Sequence, residues 1–450
     1  MLNYYRENIQ FYFILLFWMI VGSYAAPVSF GLVPLTMIMM WKKGMFEELL
    51  IGFFFILILS DSLEPGLVFA KDLKNVYIVM LAVFVFFDSA SFSPFDQLYK
   101  IFIPFFLFSA LTMLSSVSEP FFFTSVQKTI SYAIFFIVIP NFVSRAFRDH
   151  GVEFLKRFIY FSFTTLLIGF ILKYTAHDIA FLGAGRYRGV LGNPNGLGIY
   201  CFLIYIIFFV LNDYFPDLFS RSEKLIIYLS IFISIYLTDS RNATIAVLIF
   251  YVFQRFFSLS PFLGFIFFVI ILVVSEIISK NLTSIVVSLG LSNFFRLNTL
   301  EDGSGRYVAW DFAWRQIQNN FFIGKGFAYN EYYMRQNYSL LQKLGHQGGI
   351  HNSFLTFWFD QGLVGLLIYL RSYILMFIKA ARNTKFAFPI LFSISFTAMF
   401  ESWLVGSLSA FAFLSMIIFS IITSDEIKIV GGKGVEPFSD NALNYADQQI

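Results

Sequence analysis

Cysteine is almost missing from this chain: Cys201 stands alone among 450 residues, which excludes an intramolecular disulfide and any cysteine-rich metal site. It falls inside an apolar run, where a thiol is buried and inert. Charge is scarce too, at 13% of residues against about 25% in soluble domains. The charges that remain sum to +3 and form no basic block, so nucleic acid is not an expected partner. No His/Asp/Glu spacing resembles a metal site, and no cofactor is expected. No internal repeat is found.

Apolar residues are abundant instead. They make up 58% of the chain, and the mean hydropathy is +0.73. Apolar runs of roughly 17–25 residues are what membrane helices require, so an all-α polytopic membrane protein with about 12–14 transmembrane helices is expected. The 64 phenylalanines reflect codon bias as much as physics, since Leu, Ile and Phe are all tolerated against lipid. Fourteen runs fall near 9–26, 28–41, 46–60, 75–91, 98–116, 125–142, 155–173, 195–212, 224–238, 241–257, 261–279, 352–378, 386–400 and 403–423. The first ends in small residues, as a signal peptide does, but further runs follow at once and it reads as the first membrane helix. Residues 1–423 then form one transmembrane domain, and 424–450, rich in Gly, Asn, Asp and Gln, a disordered cytoplasmic tail.

Short cytoplasmic loops carry the Lys/Arg excess. Lys42 and Lys43 lie in one connection, Arg145, Arg148, Lys156 and Arg157 in a second, and Lys379, Arg382 and Lys385 in a third. Fourteen spans put all three on one side, with both termini cytoplasmic. The loop 280–350 then lies outside, and its length exempts it from the charge rule.

Four polar features fall on that outer side. Arg186 and Arg188 precede Gly192-Asn193-Pro194-Asn195, where Asn193 suits an N-cap and Pro194 the first helical position. A helix N-terminus there offers N–H groups to an anion; the plainer reading is a glycine-rich turn with arginines on lipid headgroups. Arg241 follows Asp239 and Ser240, either of which can cap a helix, and the helix dipole disfavours a cation in that first turn. An anionic ligand would resolve the conflict, as would Asp239 itself. Arg306 follows Ser304-Gly305 and opens a stripe of Tyr307, Trp310, Trp314, Ile317 and Phe321 at helical spacing, which Gly324 and Gly326 are placed to end. The aromatics suit a membrane interface better than sugar stacking.

The fourth feature is His351, just outside a helix that Asn352 or Ser353 can cap. Neutral imidazole can take a proton from a hydroxyl near neutral pH, although a lone interfacial histidine more often only hydrogen-bonds. Gly362 and Gly365 lie on one face of the same helix and suit close packing. Glu401, between the last two spans, can orient an arginine or a histidine. Fixed cations, helix N-termini and one titratable base suit a diphosphate leaving group and an acceptor hydroxyl.

Taken in order over residues 180–370, these motifs resemble the O-antigen ligase/polymerase family of bacterial surface-polysaccharide enzymes. The resemblance implies a metal-independent, inverting glycosyltransferase of the lipid-phosphosugar-using type in the bacterial inner membrane, working at the periplasmic face. Its donor would be a glycan on undecaprenyl diphosphate. Arg188 and Arg241 would stabilise the departing diphosphate, and His351 would activate the acceptor hydroxyl. Arg186 and Arg306, with Asn193, Asn195 and Glu401, would contact substrate. The first reading is a polymerase of O-antigen, capsule or exopolysaccharide repeat units, with a chain-length regulator as a possible partner beside membrane lipids. The alternatives are a ligase acting on lipid A-core, and a transporter in which Asn193-Pro194 marks a discontinuous helix.

Overall fold

A computed structural model describes residues 1–424 apart from 89, 94, 95, 183, 184, 261, 271, 272, 275–287, 289–305, 347 and 407. The tail expected at 424–450 therefore lies outside the described residues except for Ser424, as do Ser304 and Gly305 and most of 261–305. What is described is a helical bundle. Its early helices are α1 (Leu2–Glu7), α2 (Ile9–Tyr24), α3 (Ala26–Lys42), α4 (Phe46–Asp61), α5 (Phe69–Phe87), α6 (Gln97–Leu114), α7 (Phe122–His150), α8 (Val152–Thr175) and α9 (His177–Ala180). They continue as α10 (Pro194–Tyr214), α11 (Arg221–Thr238), α12 (Arg241–Leu259) and α13 (262–270). The last six are α14 (Arg306–Ile317), α15 (Tyr329–Gln336), α16 (Tyr338–Lys343), α17 (Ser353–Ala380), α18 (Ala387–Phe400) and α19 (Ala410–Thr423).

Thirteen of the fourteen apolar runs have their helix. The run 261–279 is helical at 262–270 and lies partly outside the described residues. The chain is an all-α multi-pass membrane protein. Five helices among the described residues (α6, α7, α8, α10 and α17) are long and apolar enough to cross a membrane by length and composition. Among the described residues the exception to helix is a hairpin of two short strands, β1 (Phe181–Leu182) and β2 (Arg186–Tyr187), paired antiparallel. Aromatic packing holds the centre: Phe54 stacks on Phe413 and Tyr200, and Phe105 meets Tyr132, Phe357 and Tyr369 edge-on. Rings of this size bury large apolar areas, which gives many of the phenylalanines a packing role.

Several expected boundaries are corrected. Helix α7 runs to His150, well past 142, so Arg145 and Arg148 lie on its last turns rather than in a connection; Gly151, at φ 58°, makes the turn into α8. The last helix begins at Ala410, not 403. Glu401 is extended and 403–405 form a turn, and the polar groups of this segment bond to other elements: Ser353 Oγ donates to the Glu401 carbonyl (2.7 Å) and Tyr132 Oη to the Leu404 carbonyl (3.0 Å). Helix α10 is continuous from Pro194 to Tyr214, so the Asn193-Pro194 motif does not interrupt a helix.

The interruption falls elsewhere. Helix α17 breaks at Gly362 (φ 71°, ψ 177°), a conformation only glycine adopts readily. Gly362 and Gly365 therefore do not share one helical face. A Cβ at Gly362 would lie 2.4 Å from the Phe322 carbonyl oxygen, so the close neighbour is backbone of the preceding loop. That loop is a folded lobe from 306 onward, with Ala309, Ala313, Ile317, Tyr329, Met334, Leu341 and Ile350 buried together against Phe121 and Phe359. Ala309, Ala313 and Ile317 form its buried stripe, while Tyr307 and Trp314 of the expected stripe are 52% and 38% exposed. Gly324 and Gly326 do not end α14, which stops at Ile317; they pack against Asp360 of α17.

Candidate functional site

Residues from three of the four polar features meet at one carboxylate, Glu401. His351 Nδ1 is 2.9 Å from Glu401 Oε2, Arg306 Nη2 is 3.0 Å from Oε1, and Asn195 Nδ2 donates to Oε1 at 2.9 Å. Asn195 Oδ1 in turn accepts from Arg186 Nη2 at 2.8 Å. Three elements far apart in sequence, the α10 N-terminus, the α14 N-terminus and the entry to α17, thus share one acid.

Local structure explains each placement. Asn193 Oδ1 accepts the N–H of Asn195 (2.8 Å), so the α10 cap fixes Asn195 at the second position of the helix. Asn352 Oδ1 accepts the N–H of Leu355 (2.9 Å) and starts α17. Just before it His351 takes φ 52°, a left-handed conformation in which histidine is enriched. Trp310 Nε1 donates to the Ile350 carbonyl (2.8 Å), fixing the lobe to the residue before His351. Asn352 N–H donates to Ser402 Oγ (3.0 Å), fixing the same turn beside Glu401. Helix α12 joins through Asn242, whose Nδ2 donates to the Thr397 carbonyl one turn before Glu401 (3.4 Å). Arg241 is exposed on that first turn.

Glu401 is 8% exposed. Burial pushes its carboxyl up, but the hydrogen bond and charge of His351, the charge of Arg306 and the bond from Asn195 outweigh burial, and its pKa is lowered. An ionised carboxylate only accepts hydrogen bonds, so His351 Nδ1 carries a proton, and in the neutral imidazole Nε2 is the nitrogen with the free lone pair. A Cβ at Gly348 would sit 2.9 Å from that Nε2, so glycine keeps it uncrowded. Arg306 meets at Glu401 the anion that its place on the first turn of α14 calls for.

Arg186 and Arg188 part company although they are two residues apart. Arg186 donates to the Thr238 carbonyl through Nε (3.1 Å) and Nη2 (3.0 Å), a favourable place for a cation at the C-terminus of α11. Arg188 is not brought to Glu401. It is 6% exposed, donates to the carbonyls of Ile179 (2.9 Å) and Asp178 (3.3 Å), and lies 3.7 Å from Glu64. Nor is Gly192 open to an anion, because its N–H donates to Asp61 Oδ2 at 3.0 Å. Ser240 sits at the N-cap position of α12 without a capping bond, its side chain against Gly198, and Asp239 closes α11 at φ 50°.

Ser402, Asn330 and Asp360 are not among the residues singled out from the sequence. Glu401 had one usable signal, a lone acid between two apolar runs.

Residues 226–370 match the family model described as O-antigen ligase, which supports the O-antigen ligase/polymerase assignment. The match includes Arg241, Arg306 and His351 and stops short of Arg186, Asn195 and Glu401. No curated protein matches the chain.

Proposed function

We propose that this multi-pass membrane protein, with an O-antigen ligase domain that implies glycosyl transfer, moves a glycan from undecaprenyl diphosphate to a sugar hydroxyl at the outer, periplasmic face of the bacterial inner membrane. The observation that carries the reading is the bond from His351 Nδ1 to Glu401, which also accepts from Arg306, with the α12 N-terminus tied one turn away through Asn242. His351 Nε2 takes the acceptor hydroxyl proton. The acceptor oxygen then attacks the anomeric carbon, and the bond to the diphosphate oxygen breaks with its electron pair leaving on the diphosphate. A single displacement of this kind inverts the anomeric centre. Glu401 stabilises the imidazolium that forms, as a carboxylate does for a general-base histidine elsewhere.

Arg241, exposed on the first turn of α12, is the cation assigned to the diphosphate, since a guanidinium pairs bidentately with phosphate. Arg186, whose Nε and Nη2 hold Thr238 and Asn195, positions Asn195 on the donor side. Arg188 is assigned to bracing residues 178–192, because its Nε and Nη2 donate to carbonyls there. Asn193 and Asn195 shape the donor side, and Arg306 shapes the acceptor side.

Chain extension on the carrier is the first reading for the acceptor. Ligation to lipid A-core is the second, and the description of the matched family favours it. Purified protein given carrier-linked glycan separates them. Longer carrier-linked chains support polymerisation; transfer to lipid A-core without chain growth supports ligation. Loss of glycan from one face of a vesicle with no new glycosidic bond supports transport. His351→Ala is expected to slow transfer by about 100-fold or more, in the range of a lost general base; a normal rate would remove His351 from the chemistry.

A further inference from the structure

We propose that Asp360 is a positioning residue for His351, acting with Asn330 through the half-helix 353–361; this rests on the reading of His351 as the base. The break at Gly362 separates 353–361 from the rest of α17, so the direction of this half-helix is not inherited from the long helix below it. Backbone from the lobe fills the gap. The N–H groups of Leu363 and Val364 donate to the carbonyls of Phe321 (2.8 Å) and Phe322 (3.1 Å), and Gly326 N–H donates to the Asp360 carbonyl (2.8 Å).

Asp360 supplies the side-chain lock. It is fully buried, with Oδ1 accepting the Asn330 N–H at 2.7 Å and Oδ2 accepting Asn330 Nδ2 at 2.8 Å. Two bonds to one residue fix rotation as well as distance. The other end of the half-helix is held by Ser353 and Asn352 against 401–402. A rod needs both points. Nine residues of helix span about 13 Å, so a tilt of about 10° at the lower end displaces the upper end by about 2 Å. Misplacement by about 1 Å can cost on the order of 100-fold in rate.

The test uses the full chain. Asp360→Asn sets an amide against the Asn330 amide and is expected to lower kcat by roughly 10- to 100-fold with KM for the donor within about twofold. Adding Asn330→Asp restores a complementary pair and is expected to return kcat to within about threefold of the parent. In a His351→Ala background, Asp360→Asn is expected to add little, since both changes act through one group. Amide exchange over 353–361 in Asp360→Asn should rise by about tenfold or more while 363–380 is unchanged. Unchanged exchange over 353–361 overturns the proposal whatever the activity, and so does a folded Asp360→Asn protein with normal kcat. A normal rate in His351→Ala instead overturns the base reading, and the exchange result then decides alone whether Asp360 positions the half-helix.

Discussion

Glu47 and Glu401 are both buried glutamates, and each lies between an arginine and a histidine. Glu47 is 3.3 Å from Arg157 Nη1 and 3.7 Å from His150 Nε2. Glu401 is 3.0 Å from Arg306 Nη2 and 2.9 Å from His351 Nδ1. They stand at opposite ends of the bundle: Glu47 opens α4, whereas Asp61 at the far end of α4 bonds to Gly192 beside the α10 N-terminus. The same three residue types therefore do different things. At Glu47 the histidine closes α7, is too distant for a hydrogen bond, and joins two helices to a third. At Glu401 the histidine is hydrogen-bonded through one nitrogen with the other basic, and Asn195 ties the acid to a further arginine. Bond geometry and the helix N-termini around it, not composition, make a site.

The comparison breaks most sharply with the two acids. Glu401→Gln is expected to lower kcat by about 100-fold or more, because His351 loses the carboxylate charge that orients it and stabilises the imidazolium. Glu47→Gln should leave kcat within about twofold and lower the thermal-unfolding midpoint by roughly a few degrees. Equal activity losses in the two variants would mean that both acids serve only the fold. Next come the cations. Arg306→Ala is expected to cost about tenfold in kcat and Arg157→Ala to change stability alone, a split that steady-state kinetics beside thermal melts would reveal.

Strand β2 sharpens the contrast over a shorter distance. Arg186→Ala should raise KM for the donor by about tenfold, whereas Arg188→Ala should reduce folded yield with KM retained, since Arg188 braces the loop carbonyls. The smallest effect concerns pH. The Glu401 pKa is lowered on folding, so its stabilisation is fully present above the ordinary glutamate value of about 4.3 and is lost as pH falls through the lowered folded value. Melts of the parent and Glu401→Gln should differ above about pH 4.3 and converge below it; a constant gap would contradict the charged state of Glu401.

Much of this arrangement was legible beforehand. Asn193 and Asn352 were readable as caps because capping depends on local chemistry, and both accept the expected N–H groups. Arg306 was readable as a cation in search of an anion because the dipole of its own helix sets that demand. The parting of Arg186 and Arg188 was not readable, since it depends on α11 ending beside β2. Nor was the break at Gly362, because a glycine in a helical pattern looks the same whether it admits a neighbouring helix or lets another backbone through.

The sequence by itself determined the class of protein, the positions of its apolar helices and the residue types at their ends, because hydropathy and capping act over a few residues. The tertiary structure alone decided that Glu401 is the meeting point, that Arg188 is turned away from it, and that His351 rides on a half-helix fixed at Asp360. These depend on contacts between Arg186, Arg306, His351 and Glu401, which are 45 to 215 positions apart in the chain. No local pattern encodes which of several acids and arginines will face one another once the helices have packed.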